Sequence, residues 1–295
     1  MNLYFSSDYV GAAHAFDTTR KAGWVADSLS AAPIPGVTLV EPVPLTWGEV
    51  GQIHDAEYVA SVRDGRPRRL AESQGFAWDP ELGTMVLASN GGVVAAACDA
   101  LLHGVAGSLS SGLHHARRDR GVGFCTFNGL ALAVHGVLER GAGSVLIVDL
   151  DAHCGGGTES LLVAEPRVLQ FDVPVDAFDL YPRSATFRIE RVRHAADYLP
   201  TIERGLTEIA RSGAHYDLCL YNAGMDPFEG CSTGGLRGIT ADVLAARERL
   251  VFAWCRGRGM PVAFVLAGGY IGAGVSADDL VALHRLTIAE AAAPR

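Results

Sequence analysis

Short runs of consecutive apolar residues alternate with longer apolar-rich segments along most of the chain. The longer segments include one with helical spacing at Ile202, Leu206 and Ile209, and Ser276 or Asp278 is expected to cap the last of them. Uninterrupted apolar strands separated by helices are typical of a parallel sheet covered on both faces, which indicates the α/β class. The pattern predicts strands over residues 144–148, 167–173, 217–221 and 261–266, and helices over residues 91–107, 129–140, 201–211, 241–256 and 278–292.

The chain shows no internal repeat, no low-complexity tract and no linker. Residues 1–295 are therefore predicted to form a single domain. Two segments, 64–80 and 174–193, lack a clear period and are expected to be surface loops. Long loops in compact domains are often functional, so both segments are of interest for a site.

Composition narrows the class of protein further. Hydrophobic residues make up 49% of the chain and charged residues 19%, which is enough apolar material for a large core. The formal net charge of −9 argues against nucleic-acid binding and weakly favours cationic substrates.

Cysteine usage and the amino terminus bear on the compartment. The six cysteines form no CxxC pair, which is typical of a reduced intracellular protein. The first residues lack the pattern of a signal peptide, and no apolar run reaches the length of a membrane span. We expect a cytoplasmic protein that does not engage a membrane, and the oligomeric state, a homodimer included, stays open.

Three metal-competent side chains follow the predicted strand at 144–148. Asp149, Asp151 and His153 occupy alternate positions directly after the apolar run. Because alternate residues of an extended chain point to the same face, two carboxylates and an imidazole are presented together. In an open α/β sheet such a strand end is where ligands bind.

Three further clusters lie at the predicted ends of elements. Residues 112–116 contain His114 and His115, residues 222–226 end in Asp226, and residues 267–270 end in Tyr270. Each cluster alone is ambiguous, since an Asp or a Gly-Gly-Tyr after a strand is usually a turn. Together they place two histidines, a tyrosine and three metal-competent residues at one edge of the sheet.

These residue types suit metal-assisted amide hydrolysis. Asp151, His153 and Asp226 give a three-ligand metal site with an open position, which is typical of a catalytic rather than a structural zinc site. A nearby histidine can take a proton from water and return it to a leaving amine. The hydroxyl of Tyr270 can stabilise an oxyanion.

Five motifs in this order resemble the histone deacetylase and acetylpolyamine amidohydrolase family. The resemblance runs from about residue 54 to the carboxyl terminus, and the combination is more specific than any single motif. It implies the arginase–deacetylase fold, a single α/β domain with a central, mostly parallel eight-stranded sheet flanked by helices on both faces. The motifs are Gly-Leu-His-His-Ala at 112–116, Gly-Phe-Cys-Thr-Phe-Asn at 123–128, Asp-Leu-Asp-Ala-His at 149–153, Ala-Gly-Met-Asp at 223–226 and Gly-Gly-Tyr at 268–270.

The resemblance also implies roles for individual residues. Asp151, His153 and Asp226 correspond to the ligands of a single Zn²⁺, for which Fe²⁺ or Co²⁺ are alternatives. His114 and His115 correspond to the tandem pair beside the metal, Asp149 to the carboxylate that orients His114, and Tyr270 to the residue that polarises the substrate carbonyl. Phe124 and Tyr181 correspond to aromatic walls of a narrow substrate channel, completed by Gly123, Gly268 and Gly269. The backbone carbonyls of Asp149, Asp151 and His153 correspond to a structural K⁺ site.

The chain departs from the family pattern at three places. The family usually has a His at the position of Cys154 and an Asp or Asn at that of Gly156, whose side chain supports the second tandem histidine. Without that side chain His115 must find another partner or water, so the division of acid and base roles between the histidines stays open. Residues 183–197, with four arginines, replace a glycine-rich segment and are expected to reshape the mouth of the site. The loop after Asp226 is shortened.

The leading interpretation is a zinc-dependent hydrolase that removes an acyl group, in the first place acetyl, from an N-acylated amine. The substrate is either a small acylated amine, such as an acetylated polyamine, or acyl-lysine in a protein. One alternative is a ureohydrolase-like enzyme with two Mn²⁺ ions, which would need bridging carboxylates where residues 155–157 are all glycine. The other is a non-catalytic protein of the same fold that binds an acylated ligand.

Overall fold

A parallel eight-stranded sheet forms the centre of the protein. The computed structural model describes residues 1–12 and 17–294, and there the strands lie in the order β2-β1-β3-β8-β7-β4-β5-β6 with every pair parallel. The predicted α/β class and its eight strands are confirmed. The strands are β1 (Asn2–Tyr4), β2 (Thr38–Val40), β3 (Val105–Ser108), β4 (Val145–Asp149), β5 (Val168–Asp172), β6 (Phe187–Ile189), β7 (Leu218–Gly224) and β8 (Val262–Ala267).

Helices connect and cover these strands. The last of them begins with a capping box at Ser276, which decides between the two caps expected from the sequence. In the described part of the chain the α-helices are α1 (Asp17–Ala31), α2 (Trp47–Val50), α3 (Ala56–Asp64), α4 (Arg68–Ala71), α5 (Leu82–His103), α6 (Gly129–Glu139), α7 (Gly156–Leu162), α8 (Tyr198–Arg211), α9 (Ala241–Arg256) and α10 (Ala277–Ala291).

The central strands are buried on both faces. Leu146 and Val148 of β4 belong to an apolar cluster with residues of α1, α8, α9 and α10. Val145 and Ile147 of the same strand belong to a second cluster with residues of α3, α5 and α6. Alternate residues of β4 therefore point into the two cores on opposite faces of the sheet. This explains why every residue of the run is apolar in sequence.

The prediction of one helix over 91–107 is wrong at both ends. Helix α5 begins at Leu82 and ends at His103, and residues 105–108 form β3. Gly91 and Gly92 at the predicted start lie inside α5, where the helix passes close to other backbone and side chains. A Cβ on Gly92 would lie 1.6 Å from the hydroxyl oxygen of Tyr9, so close approach explains the glycine.

The two expected loops contain short elements. Helix α4 lies within residues 64–80, and the edge strand β6 lies within residues 174–193. Elements of three or four residues are too short for a period in the sequence to show them. The same reason explains why β1 and β2 were not predicted.

Helix α5 is long and apolar enough to cross a membrane by length and composition. The prediction that no segment reaches that length is therefore too strict. In the structure 61% of its apolar window is buried, and residues of α5 pack in the same cluster as those of α3 and α6. Packing in the core thus accounts for the apolar character of α5. Length and composition alone are weak evidence of a membrane span.

The sheet order brings the four chemical clusters together. Strands β3, β8, β7 and β4 are consecutive neighbours in the centre of the sheet, and all run in the same direction. The segments after their carboxyl ends carry His114 and His115, Tyr270, Asp226, and Asp151 with His153, respectively. Ligand sites in open parallel sheets occur at this edge.

Candidate active site

Asp151, His153 and Asp226 meet at the ends of the neighbouring strands β4 and β7. One ligand atom from each lies within 4.8 Å of the other two, and all three residues are buried. His153 Nδ1 lies 3.0 Å from Asp151 Oδ1 and 3.1 Å from Asp226 Oδ2. The residues expected to bind metal are thus together, and the described residues contain no second cluster of this kind.

The charge of this cluster favours a bound cation. Burial lowers the pKa of His153, but Asp151 and Asp226 outweigh that effect and raise it to about 11. Burial and the Asp151 carboxylate raise the pKa of Asp226 to about 6. Asp226 Oδ2 is buried and makes no well-formed hydrogen bond with a described residue, although His153 Nδ1 lies 3.1 Å away. A divalent cation would compensate both carboxylates and satisfy this oxygen, so the donor set fits Zn²⁺ as well as Fe²⁺ or Co²⁺.

The glycines after β8 shape the turn that carries Tyr270. Gly268 has a φ of +51°, and a Cβ there would lie 2.4 Å from Asp226 Cγ. Gly268 lines the cavity beside the metal cluster, whereas a Cβ on Gly269 would meet Leu280 in the core. Of these two predicted channel residues, only Gly268 borders the cavity.

His114 lies beside the metal cluster and is held by a buried carboxylate. Its Nδ1 is 2.7 Å from Asp149 Oδ2, and its Nε2 is 3.6 Å from Asp151 Oδ1. Asn222 of β7 donates to Asp149 Oδ1 at 2.8 Å, and the Asp151 backbone N–H donates to the same oxygen at 3.1 Å. The His114–Asp149 contact is therefore the one that the family resemblance implies, fixed from a neighbouring strand.

His115 also has a carboxylate partner, which the sequence motifs do not indicate. Its Nδ1 lies 3.0 Å from Oδ2 of Asp179, a residue of the loop after β5. The backbone N–H of Gly157 donates to the same oxygen at 3.0 Å, and Arg117 donates to Oδ1. Of the two outcomes left open for His115, another partner or water, the structure shows another partner, the Asp179 carboxylate. A single Asp in an irregular loop gives no spacing signal by which to find it.

The two imidazoles face each other and differ in charge. His114 Nε2 lies 3.1 Å from His115 Nε2. Burial lowers the pKa of His114, but Asp149 and Asp151 outweigh it and raise that pKa to about 10. Burial and the positive charge of His114 lower the pKa of His115 to about 4, although Asp179 acts in the opposite direction. In the metal-free protein these opposite shifts favour one proton between the two rings, carried by His114.

Aromatic rings form the walls of the opening that leads to these histidines. Phe124 packs against Phe76 with ring centroids 5.4 Å apart. Phe178 stands edge-on to His115 at 4.9 Å and lines the same opening. Gly123 borders it too, because a Cβ there would lie 2.7 Å from His115 Cδ2 and 3.0 Å from Phe178. The predicted channel residues Phe124 and Gly123 therefore lie at the opening.

Tyr270 lies beside the metal cluster at the inner end of this opening. Its ring centroid is 6.5 Å from that of His153, and it borders both the opening and the cavity beyond. Burial, with the charges of Asp226 and Asp151, raises the pKa of Tyr270 well above its usual value. The hydroxyl therefore stays protonated at neutral pH and keeps its capacity to donate a hydrogen bond.

Tyr181 does not reach the opening, so its prediction as the second aromatic wall is wrong. Its ring is buried in the core, where the hydroxyl accepts from Gln170 Nε2 at 3.3 Å and donates to the Arg188 carbonyl at 3.3 Å. Phe178 takes the expected place three residues earlier in the chain. The intervening Asp179 has a φ of +61°, and this turn separates a residue at the opening from one in the core.

The four arginines at 183, 188, 191 and 193 do not line the opening either. Arg183 lies 3.5 Å from Glu190, and Arg191 Nε donates to the Val175 carbonyl at 3.4 Å. The opening is instead bordered on this side by Asp176 and Phe178. Residues 176–179, rather than the arginines, shape the mouth.

The K⁺ site implied by the resemblance stays a prediction. Of the three backbone carbonyls concerned, that of Asp149 accepts a hydrogen bond from the Val173 N–H at 3.1 Å. Asp172 is buried close by, and burial together with the Asp149 charge raises its pKa well above the usual value. In the absence of a cation near those carbonyls, the charged form of Asp172 is therefore disfavoured.

Comparison with known proteins decides the family. Residues 14–283 match the model of the histone deacetylase domain. The chain belongs to the histone deacetylase family. This deacetylase is 34% identical over 245 residues to an uncharacterized protein of Picosynechococcus sp., covering 81% of this chain and 79% of that protein. It is 28% identical over 309 residues to histone deacetylase 2 of Arabidopsis thaliana, covering 97% of this chain and 79% of that protein.

The fold of the deacetylase agrees with solved structures. The crystal structure of acetylpolyamine aminohydrolase from Burkholderia pseudomallei superposes with a TM-score of 0.77 at 19% identity, covering 98% of both chains. The arginase–deacetylase fold is thus confirmed. Family membership shows that the protein is a hydrolytic deacetylase of a metal-dependent family, which sets aside the ureohydrolase and the non-catalytic alternatives.

Proposed function

We propose that the protein is a Zn²⁺-dependent deacetylase of small N-acetylated amines that carry a second positive charge. The observation that carries this proposal is Asp176, the one acidic side chain among the described residues that border the opening. Its Oδ1 accepts the Phe178 N–H at 2.7 Å, which fixes the carboxylate at the rim. Asp79 and Glu81 do not border the opening.

The shape of the opening favours a linear substrate. Phe124 and Phe178 border a passage that suits an unbranched aminoalkyl chain and disfavours bulk next to the amide. An ammonium group at the far end of such a chain would reach the rim, where Asp176 can accept its hydrogen bonds. The formal net charge of −9 attracts cationic molecules toward the protein.

Zn²⁺ bound by Asp151, His153 and Asp226 would supply Lewis-acid chemistry at the amide. Hydrolysis joins the water oxygen to the carbonyl carbon and breaks the C–N bond, and the amine leaves with a proton. Neutral His115 is the proposed proton acceptor at Nε2, and His114, which holds a proton at Nε2, is the proposed donor to the leaving nitrogen. The Tyr270 hydroxyl is the proposed donor to the developing oxyanion.

The preference for a second positive charge is tested with two substrates of equal length, one charged and one neutral, and with a control variant that loses the same charge elsewhere. With an N-acetylated diamine as substrate, Asp176→Asn should raise KM about 3- to 10-fold, because a charge-assisted hydrogen bond at the rim is lost. With a neutral N-acetylated alkylamine of the same length, KM should not change. Glu81→Gln removes one negative charge away from the opening and should leave both substrates unaffected.

A second measurement compares kcat/KM for the competing substrate class, acetyl-lysine in peptides, with kcat/KM for acetylated diamines. Acetyl-lysine peptides should be hydrolysed with lower kcat/KM than acetylated diamines by the wild-type protein. A peptide preference of tenfold or more, about 1.4 kcal/mol in transition-state binding, would overturn the proposal of a small amine.

A further inference from the structure

Positions 156 and 179 compete for the same space beside the tandem histidines. A Cβ on Gly156 would lie 2.3 Å from the Asp179 carbonyl oxygen and 2.8 Å from Asp179 Oδ1. Any side chain at 156 would therefore displace Asp179. Gly156 supplies no carboxylate itself, but the absence of a side chain there leaves room for the Asp179 carboxylate from the loop after β5.

Asp179 is firmly held although it lies in a loop. Its side chain is only 5% exposed, and Arg117 donates to Oδ1. Arg117 also donates to the Gly156 carbonyl at 3.3 Å, and the Gly157 N–H donates to Asp179 Oδ2. Burial raises the pKa of Asp179, but His115 and Arg117 outweigh it and hold that pKa below the usual value. Asp179 is thus a fixed carboxylate with defined partners on both oxygens.

This carboxylate determines which nitrogen of His115 faces the cavity. Oδ2 lies 3.0 Å from His115 Nδ1, so Nδ1 carries the proton and Nε2 presents its lone pair. Nε2 lies 3.1 Å from His114 Nε2, on the side of the metal cluster. Without Asp179 the ring would lose the partner that selects this tautomer and rotation.

We propose that Asp179, clamped by Arg117, is the positioning residue that fixes the tautomer and orientation of His115 during deacetylation. It replaces a carboxylate at position 156, and Gly156 is the complementary change that permits it. The inference rests on the proposed role of His115 in proton transfer, but on neither the identity of the metal nor that of the amine.

Asp179→Asn tests the proposal with little disturbance of the backbone, since asparagine also tolerates left-handed φ. The turnover number should fall about 10- to 100-fold, part of the contribution typical of general acid–base catalysis, while KM stays within twofold and metal content is unchanged. Asp64→Asn is the matched control, because Asp64 is an exposed aspartate paired with Arg63 away from the site. It should leave turnover unchanged.

Chemical rescue separates positioning from structural support. Asp179→Gly also accepts the left-handed φ and leaves a space of carboxylate size. Added formate should restore part of its turnover in a saturable way and have no such effect on Asp64→Asn. Two results would overturn the proposal: an Asp179→Asn protein with turnover within twofold of wild type, or a loss in Asp179→Gly that formate does not restore.

A spectroscopic readout makes the test independent of turnover. In protein labelled with ¹⁵N-histidine, His115 should give a protonated, hydrogen-bonded Nδ1 signal, assigned with His115→Gln. That signal should shift or disappear in Asp179→Asn, in the metal-loaded and the metal-free protein alike. An unchanged signal would contradict the inference. If wild-type protein hydrolyses no acetylated amine, the proposed function fails, whereas this signal still decides the role of Asp179.

Discussion

At the scale of single residues, backbone strain concentrates at the active site. Among the described residues only Leu113, Phe124 and Asp179 combine a side chain with a left-handed φ, at +54°, +65° and +61°. Such conformations cost on the order of 1–3 kcal/mol each and persist only where the surroundings enforce them. Leu113 precedes the tandem histidines, Phe124 forms a wall of the opening, and Asp179 holds His115. The strain thus lies in the residues that place the catalytic groups.

Side-chain roles carried by motifs were predictable, and roles carried by loop conformation were not. The spacing of Asp149, Asp151 and His153 follows from strand alternation, so the sequence indicates that they share a face. Phe178 and Asp179 depend on a left-handed turn that no period reveals. For that reason the sequence indicates Tyr181 in place of Phe178 and gives no signal for Asp179.

Tyr270→Phe is expected to lower turnover without loss of metal. The hydroxyl is protonated and lies beside the metal cluster, and removing one oxyanion donor commonly costs about 10²–10³-fold in rate. Steady-state kinetics and elemental analysis of the same preparation provide the measurement. Wild-type turnover in a variant with full metal content would assign Tyr270 to packing alone.

At the scale of elements, a buried histidine ties helix α6 to the segment before α3. His54 Nδ1 donates to the Arg117 carbonyl at 2.8 Å, and its Nε2 accepts the Asn128 N–H at 3.0 Å. Asn128 in turn caps α6 by accepting from the Ala131 N–H. Both contacts require neutral His54, because a proton on Nε2 would face a backbone donor. This link also fixes the backbone of Arg117, which clamps Asp179.

His54 should make the protein sensitive to acid. Burial lowers its pKa from 6.5 to about 4, so below pH 6.5 the unfolded chain binds a proton that the folded chain does not. The stabilisation is complete above pH 6.5 and is lost as the pH falls toward 4, by up to about 1.4 kcal/mol per pH unit. His54→Gln should be less stable at pH 7.5, and its deficit should narrow as the pH falls.

Urea unfolding of both proteins between pH 7.5 and 4.5 measures this difference. Other buried histidines titrate in both proteins, so the difference between the two curves isolates His54. Parallel curves over the whole range would show that His54 does not couple proton uptake to unfolding.

At the scale of the whole molecule, the order of four central strands assembles the site. Each of β3, β8, β7 and β4 contributes one cluster, although these strands are far apart in sequence. The sequence predicted three of the four, and β3 was hidden at the end of an apparent helix because it has only four residues. The shared edge was predictable from parallel connections, whereas the neighbours of each strand depend on long-range packing.

Metal binding should stabilise the whole fold, since two buried carboxylates face each other across His153. Chelation should lower Tm, and Zn²⁺ at 100 times its Kd should add about 2.7 kcal/mol to the free energy of unfolding.

Elemental analysis should give one metal per chain. Asp151→Ala should bind none and show no shift in Tm with Zn²⁺, because two ligands hold the ion poorly. Two metals per chain in the wild type, or a full shift in the variant, would contradict the assigned ligands.

Phe178 and Asp179 are adjacent in the chain, and this adjacency limits how the enzyme can change its substrate. One residue borders the entrance and the next holds a catalytic histidine, so an insertion or exchange that remodels the entrance also removes the carboxylate. Evolution or engineering of new specificity in this loop would have to restore a carboxylate for His115, for example by replacing Gly156, in the same step. Substitutions on the Phe76 and Phe124 side carry no such linkage and offer the easier route to altered selectivity.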